Sequence, residues 1–281
     1  MKIVIHVGPH RTATTSIQSF LASSRSELSE AGIWYPACRI ACDAHHVLAW
    51  KALGRELSTL GIHDDSRDAG RVLRDWKDEA QDFGCHTLLL SSEDFAVLRD
   101  FGWRSLRSSV EEITNWTIVA VRRSPALIAE SAYSHMLLNG LAQEWGEVAD
   151  VLVRGSQDFY DYLGTLAISR SWCKVEEVEY CDDADWFMQE IVSALVGKKM
   201  AKRLNSSNEV PHLNTRLNKS MWAPMLEFNR LNTPDFVLDP NTGAFPVSYY
   251  AQLPTELPKI AWVAALLRDG LTSERRQSLA S

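Results

Sequence analysis

The sequence predicts an α/β fold with a central, mainly parallel sheet and helices on both faces. Short apolar segments rich in β-branched residues alternate with stretches of helical character, and this alternation is typical of parallel sheets. The chain has 281 residues, of which 46% are hydrophobic, enough for a substantial core. We expect an α/β domain over residues 1–232 and a C-terminal extension of unassigned role over residues 233–281, packed on the same domain.

The first predicted strand leads directly into a loop that suits an anion. Apolar residues from Ile3 to Val7 are followed by GPHRTATT at residues 8–15, and then by a helix with Ile17, Phe20 and Leu21 on one face. Loop amides and the dipole of the following helix favour a negative group at the helix N-terminus. We therefore expect a phosphate-like group to bind at the start of the chain.

This loop differs from the phosphate loop of nucleoside triphosphatases. Their pattern is Gly, four residues, Gly-Lys and then Ser or Thr. Counted from Gly8, the second glycine position holds Ala13 and the lysine position holds Thr14, while the cation lies earlier, at Arg11. The missing lysine argues against hydrolysis of ATP or GTP.

A second basic feature lies about a hundred residues later. Residues 117–121 are apolar and β-branched and predict a buried strand that ends at Arg122 and Arg123. A helix is predicted over residues 126–139, with Pro125 near its first turn. The alternative interpretation is that the two arginines are a solvated pair at a strand end.

The two segments together resemble the nucleotide-binding motifs of sulfotransferases that use 3′-phosphoadenosine 5′-phosphosulfate (PAPS). The 5′-phosphosulfate loop of many bacterial members reads Gly-Pro-His-Lys-Thr-Gly-Thr-Thr and is similar to residues 8–15. The 3′-phosphate motif of the family, Arg-Asn-Pro, five residues, Ser, one residue, Tyr, is similar to residues 123–133. Weaker similarity extends the resemblance over residues 1–232, through segments 32–36, 45–46, 88–94 and 218–220.

The resemblance implies transfer of a sulfo group from PAPS to a hydroxyl of a carbohydrate or small metabolite. Such transfer depends on positioning and charge stabilisation and asks for no metal. Arg11 would act on the bridging oxygen, and Arg123 with Ser131 would clamp the 3′-phosphate. The implied nucleotide-binding residues are Arg11, Thr12, Ala13, Thr14, Thr15, Arg123 and Ser131.

Two positions depart from the family pattern. Arg11 stands where the family has lysine, and it keeps the charge while changing the shape of the donor. Ala13 stands where the family has glycine, and we expect it to be tolerated only if its φ is negative. These departures leave a degenerate member, which binds the nucleotide without turnover, as an alternative. A small-molecule kinase is a further alternative.

The acceptor needs a general base, for which the sequence offers three candidates. Glu93, placed by the resemblance at the end of the strand before the arginine strand, is the first choice, and its alternative role is a first-turn helix acid. His46 is the second, since histidine titrates near neutral pH, and the alternative role of the pair His45 and His46 is to shape the acceptor site. His10 is the third. The spacing C-x₃-C-x₂-H-H over residues 38–46 also permits a metal site, but ordinary buried thiols are favoured.

Composition limits the partners. The net charge of −7, from 36 acidic and 29 basic residues, argues against a general nucleic-acid or acidic-membrane binder. No apolar run reaches the length of a membrane helix, and Lys2 leads straight into the first strand rather than a signal sequence. Five cysteines without framework spacing favour reduced thiols, so we expect a cytoplasmic protein of open oligomeric state.

Overall fold

The structure is a computed structural model that describes residues 1–8, 12–38, 44–54, 68–98, 100–138, 140–169, 172–207 and 219–232. The described residues form two compact units. The first contains those of residues 1–129 and 153–207, and the second contains those of residues 130–152 and 219–232. The predicted extension over residues 233–281 lies outside the described residues, so the boundary at residue 232 stays a prediction.

The first unit is built on a five-stranded, all-parallel sheet with the strand order β2-β3-β1-β4-β5. The strands are β1 (Lys2–Val7), β2 (Ile33–Trp34), β3 (Thr87–Ser91), β4 (Asn115–Arg122) and β5 (Cys173–Glu179). β1, β3 and β4 are almost continuous runs of buried residues, as expected for parallel strands covered on both faces. The predicted α/β class with a parallel central sheet is confirmed.

Ten α-helices connect and flank these strands in the described part of the chain. They are α1 (Thr14–Ser23), α2 (Arg25–Glu30), α3 (His46–Ala52), α4 (Ala69–Asp82), α5 (Asp100–Ser108), α6 (Pro125–Leu138), α7 (Trp145–Ser169), α8 (Ala184–Val196), α9 (Lys198–Ser207) and α10 (Trp222–Asn232). Short 3₁₀ helices occupy Glu93–Val97 and Lys219–Met221. Helices α6 and α7 each contribute to both units.

Two apolar cores cover the two faces of the sheet. Ile3, Ile5 and Val7 of β1 belong to one core, together with residues of α3, α4 and α5. Val4 belongs to the other, together with residues of α1, α8 and α9. Because successive side chains of a strand point to opposite faces, this division follows directly from the register of β1.

The chain leaves β1 and β4 towards opposite faces of the sheet. Helix α1 follows β1 and packs in one core through residues such as Ile17, whereas α6 follows β4 and places Ile128 in the other. The two strands are neighbours, with His6 paired to Val119. In open α/β sheets, ligands bind outside the carboxyl ends of the strands at such a switch point. The ends of β1 and β4 are therefore the candidate ligand-binding region of the first unit.

The second unit has its own small core. Five residues are buried together there, with Trp145 and Trp222 packed against them. The five are Tyr133, Leu137, Leu141, Val148 and Met225. Within the part of the chain that the structure describes, every helix is too short or too polar to cross a lipid bilayer.

Two predicted strands are shorter than expected. The predicted strand at residues 32–36 is reduced to Ile33–Trp34. β3 ends at Ser91, so Glu93 does not end a strand but begins the 3₁₀ helix, because the Ser92 hydroxyl accepts the amide N–H of Asp94 and turns the chain. The predicted strand over residues 117–121 is extended at both ends, and the predicted helix after it begins at Pro125.

Candidate functional site

The chain packs closely around Gly8, directly after β1. A β-carbon added to Gly8 would lie 2.6 Å from Thr12 Oγ1 and 3.5 Å from Val121 Cβ of β4. Thr12 is fully buried and its hydroxyl lies 3.4 Å from that of Thr14 at the start of α1. A side chain at position 8 would therefore displace the Thr12 hydroxyl, and glycine avoids this. Pro9, His10 and Arg11 lie outside the described residues, so the roles predicted for His10 and Arg11 stay predictions.

Ala13 contradicts one expectation. Alanine was expected to be tolerated here only with a negative φ, but its φ is 60° and its ψ is 20°, in the left-handed region. It is the only non-glycine residue with positive φ among the described residues. Ala13 occupies the N-cap of α1, with no side-chain hydrogen bond to the helix end. The backbone therefore keeps a conformation suited to glycine, and the alanine carries steric strain.

Arg123 lies directly after β4, the strand that pairs with β1, and is 8% exposed. Its backbone N–H donates to the Tyr160 hydroxyl at 2.8 Å, and that hydroxyl donates to the Val121 carbonyl at 3.2 Å. Burial raises the pKa of Tyr160 to about 12, so the phenol stays protonated and can make both bonds. The guanidinium lies 4.3 Å from the ring centre of Tyr180, the first residue after β5. Strands β4 and β5 and helix α7 thus hold Arg123 in place.

Arg122 and Arg123 are not an equivalent solvated pair. Arg122 is partly exposed and makes a two-pronged ion pair with Glu177 on β5, with one contact of 3.0 Å. This carboxylate raises the pKa of the Arg122 guanidinium. Arg123, one residue later, points to the other side and is buried. The two environments favour Arg123 as the anion-binding residue.

Ser131 is also buried, on α6, eight residues after Arg123. It belongs to the second unit, whereas Arg123 belongs to the first. A shared contact of the two side chains with one phosphate stays a prediction.

The two leading candidates for the general base lie in one cluster. Glu93 Oε2 accepts a hydrogen bond from the Gln18 amide at 3.1 Å and lies 3.8 Å from His46 Nε2. Gln18 is on α1, one turn after Thr14, so the helix that begins at the loop also contacts Glu93. The His46 and Glu93 side chains are 12% and 15% exposed. The structure thus brings together residues that the sequence presented as alternatives.

Asp94 completes this cluster on the other side of His46. Its Oδ2 atom lies 2.7 Å from His46 Nδ1, and the Ser92 hydroxyl lies 2.8 Å from the same nitrogen. The His46 ring stacks on Trp50, with ring centres 5.4 Å apart and planes 15° apart. A carboxylate, a hydroxyl and an aromatic face therefore define the orientation of the imidazole.

His45 has a structural role. The Ser91 N–H donates to its Nδ1 at 2.9 Å, which leaves Nε2–H to donate to the Pro36 carbonyl at 3.2 Å. Its ring packs edge-on against Tyr35 and Trp76. Burial lowers the pKa of His45 to about 4, so the ring is neutral at physiological pH. His45 fixes the segment before α3 to the end of β3 and thereby places His46.

His6, next to the end of β1, is a second buried histidine near this cluster. Its Nδ1 lies 2.8 Å from the Ser91 hydroxyl, and its Nε2 has no hydrogen-bond partner within the described residues. Burial lowers the pKa of His6 to about 4, against an opposing effect of the nearby Glu93 carboxylate. Sequence analysis missed His6 because the apolar run of β1 makes it resemble any core position.

The residues that sequence analysis did not single out share one property. Each contributes to the site through a contact with a residue far away in the chain. Gln18 contacts Glu93, Asp94 contacts His46, and Tyr160 and Tyr180 contact Arg123. Only Asp94 had a local signal, as the residue after Glu93. The possible metal site over residues 38–46 includes Cys42, which is outside the described residues, and those described contain no group of metal-ligating side chains.

The second unit contains a cavity of about 660 Å³ with aromatic walls. Tyr133 and Trp222 have ring centres 4.8 Å apart, and Trp145 lies 5.3 Å from Tyr133. Glu144, Glu227 and Arg230 are the charged residues among its lining residues. Its volume is within the range of small-ligand pockets. Two of the ten tryptophans are therefore placed where a ligand could stack on them.

A scan of protein-family models finds no match for this chain, and searches of curated proteins and of solved structures find none.

Proposed function

We propose that this protein is a sulfotransferase that uses PAPS and acts on a hydroxyl of a carbohydrate or small metabolite. The observation that carries the proposal is the pair of anion-binding features at the ends of two adjacent strands. The loop after β1 leads into the N-terminus of α1, and buried Arg123 follows β4 on the other side of the switch point. Two separated phosphate positions are what a nucleotide phosphorylated at both its 3′ and 5′ ends requires.

The residues present fit such a nucleotide. A β-carbon at Gly8 would meet the Thr12 hydroxyl, so glycine keeps this hydroxyl close to the loop backbone at the start of α1. Thr12 and Thr14 have buried hydroxyls at the start of α1, and these, with Thr15 and the predicted Arg11, would hold the 5′ end. Arg123 would hold the 3′-phosphate, and the part given to Ser131 stays a prediction of the sequence. The bound nucleotide supplies an activated sulfo group, and the protein supplies orientation and charge stabilisation.

The Glu93–His46 cluster supports the acceptor side of the proposal. Both groups lie beyond the end of β3, adjacent to β1 in the sheet, and both are largely shielded from solvent. Gln18 ties Glu93 to the helix that starts at the loop. A proton acceptor near the loop is what an acceptor hydroxyl needs as it attacks.

One observation favours the non-catalytic alternative. The left-handed backbone at Ala13 is the conformation that the family glycine permits, and alanine strains it. The double variant Arg11→Lys with Ala13→Gly restores both family residues. Sulfo transfer that appears only in this variant would show that the natural chain is not a transferase, whereas activity in the natural chain would exclude this alternative.

The test of the proposal is calorimetric titration with 3′-phosphoadenosine 5′-phosphate, in parallel with adenosine 5′-phosphate and with ATP and Mg²⁺. We expect micromolar binding of the first nucleotide and much weaker binding of the other two. Preference for ATP with Mg²⁺ would instead support a small-molecule kinase. Absence of binding to all three would overturn the proposal.

Arg123→Ala should weaken binding of 3′-phosphoadenosine 5′-phosphate by roughly 1.5–3 kcal/mol, the range for hydrogen bonds to a charged group. It should leave the affinity for adenosine 5′-phosphate nearly unchanged. Arg122→Ala is the matched control, because Arg122 is partly exposed and bonded to Glu177, and it should bind both nucleotides as the natural chain does. Equal losses for the two nucleotides, or equal effects of the two variants, would remove Arg123 from the 3′-phosphate site.

A further inference from the structure

We infer that Asp94 is a positioning residue, which fixes the His46 ring so that Nε2 accepts the proton of the acceptor hydroxyl. The inference rests on the proposed function. It assigns different tasks to the two base candidates of the cluster and adds a residue that sequence analysis had not selected.

The contact with Asp94 decides which nitrogen of the His46 imidazole carries the hydrogen. Asp94 Oδ2 lies 2.7 Å from His46 Nδ1, and an ionised carboxylate can only accept a hydrogen bond. Nδ1 must therefore carry a hydrogen, since two lone pairs at this distance would repel one another. In the neutral ring the lone pair is then on Nε2, which is the nitrogen able to take up a proton.

The second step concerns the rigidity of this arrangement. The Ser92 hydroxyl accepts the Asp94 backbone N–H at 3.0 Å, and its oxygen lies 2.8 Å from His46 Nδ1. Trp50 stacks on the ring one turn further along α3. His45, immediately before His46, is tied to the end of β3 through both its backbone and its ring. The orientation of His46 is thus set by contacts on several sides.

The third step concerns charge. When His46 Nε2 takes the acceptor proton, the sulfo group passes from the phosphate oxygen of the nucleotide to the acceptor oxygen, and the imidazole becomes an imidazolium. Asp94 Oδ2 then lies beside Nδ1, and Glu93 Oε2 lies 3.8 Å from Nε2. Among the described residues, His45 interacts electrostatically with His46 and Arg25, and His6 interacts with Glu93. Two carboxylates on opposite sides of the ring stabilise the positive charge that forms.

Glu93 therefore has a supporting task in this arrangement. Its Oε2 receives the Gln18 amide hydrogen bond, so the side chain is held between α1 and His46. Glu93→Gln should keep the tautomer of His46 and lower kcat less than Asp94→Asn does. Were Glu93 the base, Glu93→Gln would abolish turnover and Asp94→Asn would leave it nearly intact.

The experiment combines a spectroscopic and a kinetic readout on the full chain. Nitrogen-15 NMR identifies which imidazole nitrogen of His46 carries the hydrogen, with His46→Gln used only to assign its signals. Asp94→Asn keeps the shape but offers an amide N–H to Nδ1, which moves the ring hydrogen to Nε2. Where a carboxylate orients a catalytic histidine, this exchange costs about 10⁴-fold in kcat, and we expect a fall of roughly 10²- to 10⁴-fold. Nucleotide affinity should not change.

Asp82→Asn is the matched control, because Asp82 is exposed at the end of α4. It should leave both the tautomer and kcat unchanged. A natural chain with the hydrogen on Nε2 of His46, or an Asp94→Asn variant with unchanged kcat, would overturn the inference even if sulfo transfer is observed. A natural chain with the hydrogen on Nδ1 but without nucleotide binding or sulfo transfer would overturn the proposed function and the catalytic task of His46, while the Asp94–His46 hydrogen bond would stand.

Discussion

Ala13 places a β-carbon in a backbone conformation that glycine adopts more easily. For an L-amino acid, the left-handed region costs roughly 1–2 kcal/mol, because the β-carbon approaches the carbonyl oxygen. Such strain persists only where the surrounding structure enforces it, and here the neighbours are buried Thr12 and the start of α1. The chain thus retains the loop geometry although it lacks the residue that would form it without strain.

Ala13→Gly should raise the free energy of unfolding by about 1 kcal/mol, because it relieves the left-handed strain at a φ of 60°. Urea unfolding followed by circular dichroism measures this change. Ala22→Gly, in the last turn of the same helix, is the control and should not raise stability, because Ala22 is not among the residues with positive φ. A loss of stability in both variants would mean that position 13 is not strained in solution.

Single site residues could be predicted where neighbouring residues in the sequence indicated their role. Arg123 could be selected from its position after an apolar strand and before Pro125. The φ of Ala13 could not be predicted, because alanine alone indicates a negative φ and the loop geometry overrides it. The hydrogen bond from Asp94 to His46 could not be predicted either, because 48 residues separate the two and strand order decides their proximity.

At the scale of elements, a buried side chain of α10 binds carbonyl groups at the end of α6. Asn229 is buried, and its amide donates to the Leu137 and Leu141 carbonyls, each at 2.8 Å. The last carbonyls of a helix have no partner within the helix and need one from elsewhere. Asn229 therefore satisfies groups at the C-terminus of α6 and connects the helices of the second unit.

Asn229→Ala should lower the free energy of unfolding by about 1–3 kcal/mol, since the Leu141 carbonyl loses the amide and the Leu137 carbonyl keeps the Gly140 N–H as a donor. The change can be measured by urea unfolding with tryptophan fluorescence, to which Trp145 and Trp222 of this unit contribute among the ten tryptophans. Glu227→Ala, at an exposed position of α10, should have little effect. Equal stabilities of the two variants would show that the amide does not hold the helices together.

At the scale of the whole molecule, two neutral histidines lie buried beside the central strands. Burial lowers the pKa of His6 and of His45 to about 4, whereas histidine in an unfolded chain titrates near 6.5. Between these pH values the unfolded chain binds protons that the folded chain excludes. The free energy of unfolding should therefore fall as pH decreases from about 6.5 to 4, and this contribution should level off below pH 4.

Each histidine should contribute a slope of at most about 1.4 kcal/mol per pH unit in this window. Urea unfolding at several pH values between 4.5 and 7.5 measures the slope. His6→Gln should reduce it by the contribution of one proton, and His86→Gln, at an exposed position, should not. Identical slopes in these two variants would show that His6 is protonated in the folded state.

The fold class was predictable from the sequence because short apolar, β-branched segments such as β1 and β4 alternate with helical stretches. The strand order was not, since five parallel strands can be arranged in many ways. That order brings the ends of β1, β3 and β4 together. Strand order, which no single segment reveals, therefore decides which residues meet at the site. Arg123 is the exception, because its own segment was enough to select it.

The register of β1 and β4 fixes how far Arg123 lies beyond the end of β1. Val7, the last residue of β1, pairs with Ala120, and β4 continues through Arg122, so Arg123 lies three residues beyond the end of its neighbour. This step is roughly 10 Å at about 3.3 Å per residue. Under the proposed function, the backbone hydrogen bonds between β1 and β4 would set the spacing of the two phosphate positions. Insertion of one residue into β4 would lengthen this step, and it would also exchange the faces of the sheet to which Arg122 and Arg123 point. The spacing could therefore not be altered one residue at a time without moving Arg123 away from its present side.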